Sequence, residues 1–450
     1  MANYKDKLPG GLADDKKPTD FSKEALAKGM KVELEHTSDP SLAREIAMDH
    51  LTEDPKYYDK LESIEGKRIK HHIDLPKDIL VIQDVFKKNG YKLYLVGGAV
   101  RDALSGATPK DYDLATDALP DEVNRMLSPI YRMLPVGEAF GIWLAVTPTG
   151  EYEIATFRED IGMGRRPDEV KFTTIENDVN RRDLTINALF YDIDKEEIVD
   201  LVGGVEDLKN GIVRSVGDPT QRFNEDRLRI LRAIRFAGIT GSELDPAMRD
   251  SLTKDASLRG VSNERIKDEF LKGILKASSV VYFMTMLDKY NLFNWIFPKL
   301  NINADYIEEK DYIVTLATLL KENDSIELER ILNQQTYTNK EVASILFLLS
   351  LIYLNQDNAY EIKKKQSNAG ITNDQIISFA RHNDLDTSLI QKFIQYQPSI
   401  KARDVMDKYN ITPGPEVGKY IKQMETDAFK NLVFNESYQF KYIKNFTNYA

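Results

Sequence analysis

The sequence predicts an α+β protein, with an α/β head followed by an all-helical remainder and a small helical unit in front. Three observations carry this. Short apolar runs bounded by turn residues cluster between 74 and 205, as half-buried strands do. From Asn224 onward apolar residues recur at helical spacing, with Leu228, Leu231, Ile234 and Ala237 marking one stripe. A length of 450 residues with 42% hydrophobic content allows two to four domains.

In chain order, residues 1–20 are rich in Lys, Asp, Pro and Gly and predict a disordered tail. Residues 21–70 predict a small helical domain that closes in a linker, Gly66 and the basic run Lys67-Arg68-Ile69-Lys70. The head spans 74–205, with strands expected at Lys92–Val96, Tyr112–Thr116, Trp143–Thr147, Glu151–Phe157 and Glu197–Asp200. A helical neck follows over 206–275, then a helical body and tail over 276–450.

Composition narrows the function classes. There is no cysteine, so disulfides, thiol nucleophiles and Cys-type zinc sites are excluded. No run approaches the roughly 18 apolar residues that a membrane span needs, and the N-terminus lacks an apolar leader core. A cytoplasmic protein is expected. The net charge of -11 argues against indiscriminate nucleic-acid binding. It leaves room for a local basic groove, because phosphate affinity follows local charge. Candidates for such a groove are Arg158, Arg165, Arg166, Lys171, Arg181, Arg182, Arg214, Arg222 and Arg232.

The most informative stretch runs from Leu95-Val96-Gly97-Gly98 through Arg101 to Asp111-Tyr112-Asp113. Residues two apart on a strand share a face. Two carboxylates there repel unless a cation sits between them, and Mg²⁺ is the cation that takes carboxylates together with substrate phosphates. Glycines let backbone approach phosphate closely. Glu153, on one face of the strand Glu151–Phe157 with Ile154 on the other, offers a third carboxylate for a two-metal site. Further on, Asp226 and Arg229 are three apart on a helix. They read either as a surface ion pair or as a base reader. An Asp accepts from an amino group and an Arg donates to a ring nitrogen, a pattern that fits C and A and rejects U and G.

This ordered set resembles the class II tRNA nucleotidyltransferases, the CCA-adding enzymes of the polymerase β-like superfamily. Four stretches carry it: Leu95–Thr116, Pro135–Gly141, Arg181–Leu189 and Arg222–Phe236. The resemblance implies a polymerase β-like head with a helical neck, body and tail. It implies two Mg²⁺ ions on Asp111 and Asp113, with Glu153 completing the catalytic carboxylates. Gly97, Gly98 and Arg101 would hold the triphosphate, and Arg182, Asp183 and Asn187 would contact ribose and phosphates. Arg158 would open a loop tied to the switch between CTP and ATP, and Asp226 and Arg229 would read the base. tRNA and nucleoside triphosphates are the implied partners, with no membrane and no DNA. Two departures stand out: Leu184 replaces a common Phe, and Glu159–Gly164 matches the loop only loosely.

Downstream, Lys401–Met406 with Thr412-Pro413-Gly414-Pro415 through Gly418 and Lys419 looks like an element of these enzymes' tails, which would place RNA contacts at Gly414, Gly418 and Lys419. Lys363 and Lys364 are further RNA-contact candidates. Bacterial poly(A) polymerases share the head, so poly(A), CC-only or A-only addition are the alternatives. A non-catalytic RNA-binding module is the alternative from another class. Residues 33–61 resemble a small domain of unknown function found in phage-encoded proteins, which would place the protein in a host cytoplasm. There His36, Asp49, His50 and Glu53 are metal-ligand types or simply helix caps and surface charge.

Overall fold

The computed structural model describes residues 10–34, 37–58, 67–137, 140–161 and 169–434. The chain divides into two compact units, 1–225 and 226–450.

The first unit opens with two packed helices, Lys23–Glu33 and Pro40–Glu53. Ser22 and Asp39 cap them by accepting from the N–H groups of Ala25 and Ser41. Leu26, Ala47, Met48, Leu51 and Tyr58 form their core, and Ala13 joins it. This corrects the disordered tail for residues 10–20. The N–H of Ala13 donates to Asp49 at 2.8 Å, and a short 3₁₀ turn covers Pro18–Asp20. A buried alanine and one long-range hydrogen bond hold a segment whose composition alone reads as solvated.

The head is an eight-stranded sheet. Its strands are β1 (Lys67–Lys70), β2 (Leu93–Val96), β3 (Asp113–Thr116), β4 (Arg132–Gly137), β5 (Ile142–Val146), β6 (Glu151–Thr156), β9 (Phe190–Asp192) and β10 (Glu197–Asp200). A separate hairpin is formed by β7 (Arg158–Ile161) and β8 (Glu169–Phe172). The sheet order is β1-β10-β9-β2-β3-β6-β5-β4. Only the β3–β6 pair among these is parallel. β1 corrects the linker reading. Lys67 to Lys70 pair with Asp200 to Glu197, and Lys70 reaches Glu197 at 3.2 Å. An edge strand needs little apolar content when its partner is acidic, so periodicity misses it.

All four β2 residues are buried, as befits a central strand. Leu93 and Leu95 join Leu114 and Ile154 under the helices Lys77–Lys88 and Pro120–Leu127. Tyr94 and Val96 face the other way with Ala115, Phe157 and Phe190. The helix Gly204–Lys209 belongs to this unit too, where Thr185 Oγ1 donates to Asp207 at 2.7 Å.

The second unit is helical. Its first helix, Leu228–Thr240, buries the whole expected stripe of Leu228, Leu231, Ile234 and Ala237, and Ile230 and Ala233 as well. Against it pack Asn263–Lys276 and Val280–Lys289. Gly273 is required there, because a Cβ would fall 2.1 Å from the Phe283 ring. Further helices run to Pro415–Phe434, whose first residue is Pro415. Among the described residues no helix is long and apolar enough to cross a membrane.

Candidate active site

β2 ends at Val96, which pairs with Asp113 at the start of β3. The chain then turns through Gly97 with φ 66° and ψ -121°, a conformation open only to glycine, and enters the helix Gly98–Leu104. β3 runs parallel to β6 with Leu114 opposite Ile154. One step earlier on both strands, Asp113 and Glu153 therefore stand side by side on the open face. The exposed–buried alternation along β6 matches the expected faces, with Glu151 and Glu153 out and Tyr152 and Ile154 in. Asp111 precedes the strand, outside regular secondary structure.

The electrostatics show crowded like charge. Burial pushes the carboxyl of Asp113 above its ordinary value, Asp111 adds to the rise, and Arg182 opposes it. Burial likewise raises Glu153, with a further push from Asp113. Asp113 keeps exposed surface while protein crowds it on most sides, as the floor of a cleft does. Among the described residues, none donates a hydrogen bond or pairs as an ion with these three carboxylates. No three Asp, Glu, His or Cys side chains among the described residues converge tightly enough to hold a metal ion by themselves. An all-oxygen set with uncompensated charge suits Mg²⁺, which takes one or two carboxylates and completes its shell with phosphates and water.

Arg182 lies beside the glycine turn. Its Nη1 is 3.9 Å from where a Gly97 Cβ would be, and its guanidinium stacks over Phe190 at 4.6 Å. Arg101 differs from expectation. It is 8% exposed, donating from Nη1 to Asn187 at 2.6 Å and from Nε and Nη2 to Asp102. Its guanidinium is taken up by protein and braces the glycine turn against Asn187. Asp183 accepts from the N–H of Leu184. Arg158 donates from Nη1 to the carbonyl of Phe140 at 2.6 Å. Gly162–Gly164, Arg165, Arg166 and His36 lie outside the described residues.

In the second unit, Asp226 accepts from the N–H of Leu228 at 3.0 Å and from Arg265 Nη2 at 2.6 Å. Arg265 is 39 residues away, so helical spacing gives no sign of it. Each carboxylate oxygen retains a second lone pair. Lys363 departs from its RNA-contact expectation. Its Nζ donates to the carbonyls of Phe393 and Ile394 and lies over the Phe393 ring, so it caps a helix C-terminus. Lys364, Gly414, Gly418 and Lys419 are exposed, and a Cβ at Gly418 would meet open space. In the N-terminal helices, Asp49 holds Ala13 and His50 bonds Tyr58 at 2.9 Å, which are structural roles.

The most telling residue that spacing alone misses is Asp178, 1% exposed. Burial by itself would raise its carboxyl, but Arg182 and Arg181 outweigh that and hold it below the ordinary value.

Comparison with known proteins gives a consistent picture. Residues 93–214 match the family described as Poly A polymerase head domain, and 242–303 match Probable RNA and SrmB-binding site of polymerase A. Residues 6–67 match a protein family of unknown function, DUF5661. The CCA-adding enzyme of Ligilactobacillus salivarius (strain UCC118) is 30% identical over 385 residues, covering 79% of this chain and 93% of that protein. Poly(A) polymerase I of Salmonella typhi is 32% identical over 305 residues, covering 64% of this chain and 63% of that protein. The Bacillus stearothermophilus CCA-adding enzyme in complex with CTP superposes with a TM-score of 0.63 at 24% identity, covering 79% of this chain and 92% of that one. The Thermotoga maritima CCA-adding enzyme complexed with tRNA does so at 0.58 and 17%, covering 80% and 95%. These two superpositions show the shared fold.

Proposed function

We propose that this chain, which belongs to the CCA-adding enzyme family, is a nucleotidyltransferase that adds CCA to the 3′ end of tRNA without a template. CMP and AMP are transferred from CTP and ATP, and pyrophosphate leaves. The observation that carries this reading is the cleft where Asp113 and Glu153 stand side by side, beside Asp111 and the Gly97 turn.

The tRNA 3′-hydroxyl attacks the α-phosphate. Asp111 and Asp113 would hold Mg²⁺, with Glu153 helping on the side of the attacking hydroxyl. When bound, magnesium supplies charge neutralisation on the triphosphate and acidifies the attacking hydroxyl. The backbone at Gly97 and Gly98 admits the triphosphate closely, because no side chain stands there. Arg182 offers Nη1 toward that turn, and Arg101 and Asn187 keep the turn in place. Asp183 serves the ribose. Asp226 accepts from the exocyclic amino group of C or A, while Arg229 donates to the adjacent ring nitrogen. Arg265 supports this by fixing the Asp226 carboxylate. Exposed Lys364, Gly414, Gly418 and Lys419 serve the tRNA body, which leaves the -11 chain to bind by local contacts.

The likeness to Poly(A) polymerase I favours a second reading, addition of A alone. A primer-extension assay separates the two. A tRNA transcript ending at its discriminator base is incubated with Mg²⁺ and CTP, ATP or both. Growth by three nucleotides only with both triphosphates is expected. A ladder from ATP alone would move the protein to poly(A) addition, and no extension would favour a non-catalytic RNA-binding module.

A further inference from the structure

The geometry points to Asp178 as a positioning residue that aims Arg182 at the glycine turn and ties that aim to the β7–β8 hairpin. The inference rests on the nucleotidyl-transfer reading of the cleft.

Asp178 divides its carboxylate between two tasks. Oδ2 accepts from Arg182 Nε at 3.1 Å and Nη2 at 3.0 Å. With those two nitrogens engaged, Nη1 is the part of the guanidinium left facing Gly97, 3.9 Å from its would-be Cβ. The Phe190 ring beneath holds the plane of the guanidinium at 4.6 Å. Two N–H groups converging on one charged oxygen fix direction as well as distance, which a single contact does not. Oδ1 accepts from the backbone N–H of Arg158 at 3.1 Å and from Arg181 Nε at 2.9 Å. Arg158 is the first residue of β7, and its Nη1 holds the Phe140 carbonyl. Gly141 next to Phe140 lies against Phe172 of β8, where a Cβ would fall 2.6 Å from the ring. The root of the hairpin and the aim of Arg182 thus share one buried carboxylate. Any displacement of the root changes the Oδ1 contacts of the group whose Oδ2 steers Arg182.

A buried ion pair is weak evidence for stability, since a well-packed apolar replacement is often as stable. A charge retained at 1% exposure beside the cleft is better explained by orientation.

The test is a double-mutant cycle read in CTP binding by the full-length chain with Mg²⁺, using labelled CTP in equilibrium dialysis. Asp178→Asn keeps the shape and removes the charge. It is expected to weaken CTP about tenfold, as does Arg182→Lys, with the double variant within about twofold of Arg182→Lys alone. Unchanged binding in Asp178→Asn, or effects that multiply in the double variant, would overturn the inference. If circular-dichroism melting shows that Asp178→Asn does not fold, Asp178→Glu decides. It keeps the buried charge but moves the carboxylate by one methylene, so weakened CTP binding is expected with native melting. Wild-type affinity in that variant would also overturn the inference. Failure of the wild type to extend tRNA would instead count against CCA addition, while the binding cycle still decides the role of Asp178.

Discussion

At the start of β3 in the head, the carboxylates of Asp111, Asp113 and Glu153 crowd together with no hydrogen bond or ion pair from a described residue. In the helical unit, Glu269 is far more enclosed, at 5% exposure, and it takes Arg235 Nε at 2.6 Å and has Arg232 and Lys272 at 3.8 Å. In both regions protein crowds carboxylates. One leaves them under mutual repulsion, and the other surrounds its carboxylate with cations. Paired charge holds helices together. Unpaired charge costs stability, and a fold keeps it where a substrate and its cation complete the balance.

Four substitutions would break or sharpen this contrast. Asp113→Asn has the largest expected effect, a loss of tRNA extension of about 10³-fold or more, since it removes a carboxylate proposed to hold the metal. Because it also relieves repulsion, its melting temperature is expected to stay level or rise by a few degrees. A large fall in melting temperature would show the cleft charges to be structural after all. Glu269→Ala is the converse. Removing Glu269 takes away the buried carboxylate that Arg235 donates to, and about 3–5 kcal/mol of stability should be lost in denaturant unfolding.

Asp226→Ala is expected to relax base choice by about tenfold or more, from loss of one discriminating contact of about 1–3 kcal/mol. Competition between CTP and UTP in single-nucleotide extension measures it. Retained C and A selectivity would mean that another group reads the base. The smallest effect lies at Lys363, whose ammonium burial pushes down to about 8 from 10.5. Between those values the unfolded chain binds the extra proton, so stability rises with pH from 8 to 10.5, and the burial cost is carried in full below 8. Lys363→Met removes that burial cost together with the two hydrogen bonds, so its lead over wild type in melting temperature should shrink by about 1–3 °C between pH 7 and pH 10. A lead that does not change with pH would assign the difference to packing alone.

Much of the head was legible from residues that act over short spans. The alternation along Glu151–Thr156 depends on a repeat of two, and the buried stripe of Leu228–Thr240 on a repeat of 3.6. The glycine pair and Asp111-Tyr112-Asp113 announce a turn and a charge problem within a few positions. The order of these motifs carried the family resemblance, and the relative covering 93% of its own length bears that out. The fold class followed from the same patterns.

Other features depend on which distant segments meet, and no local pattern carries that information. β1 reads as a basic linker until β10 supplies its acidic partners 127 to 133 residues away in sequence. The hold of Arg265 on Asp226 is set by how the helix Asn263–Lys276 packs beside the break that precedes Leu228, where Asp226 sits off the helix. Arg101, named for phosphate, is claimed by Asn187 across 86 positions. Asp178 sits only three and four residues from Arg181 and Arg182, yet its link to the hairpin exists only once β7 is folded beside it. Chemical type and local geometry belong to the sequence, because hydrogen-bonding capacity and backbone preference are properties of each residue and its near neighbours. Whether a charge is steered, braced or left unmatched was decided by the tertiary fold, because desolvation and Coulomb energy depend on everything packed around it.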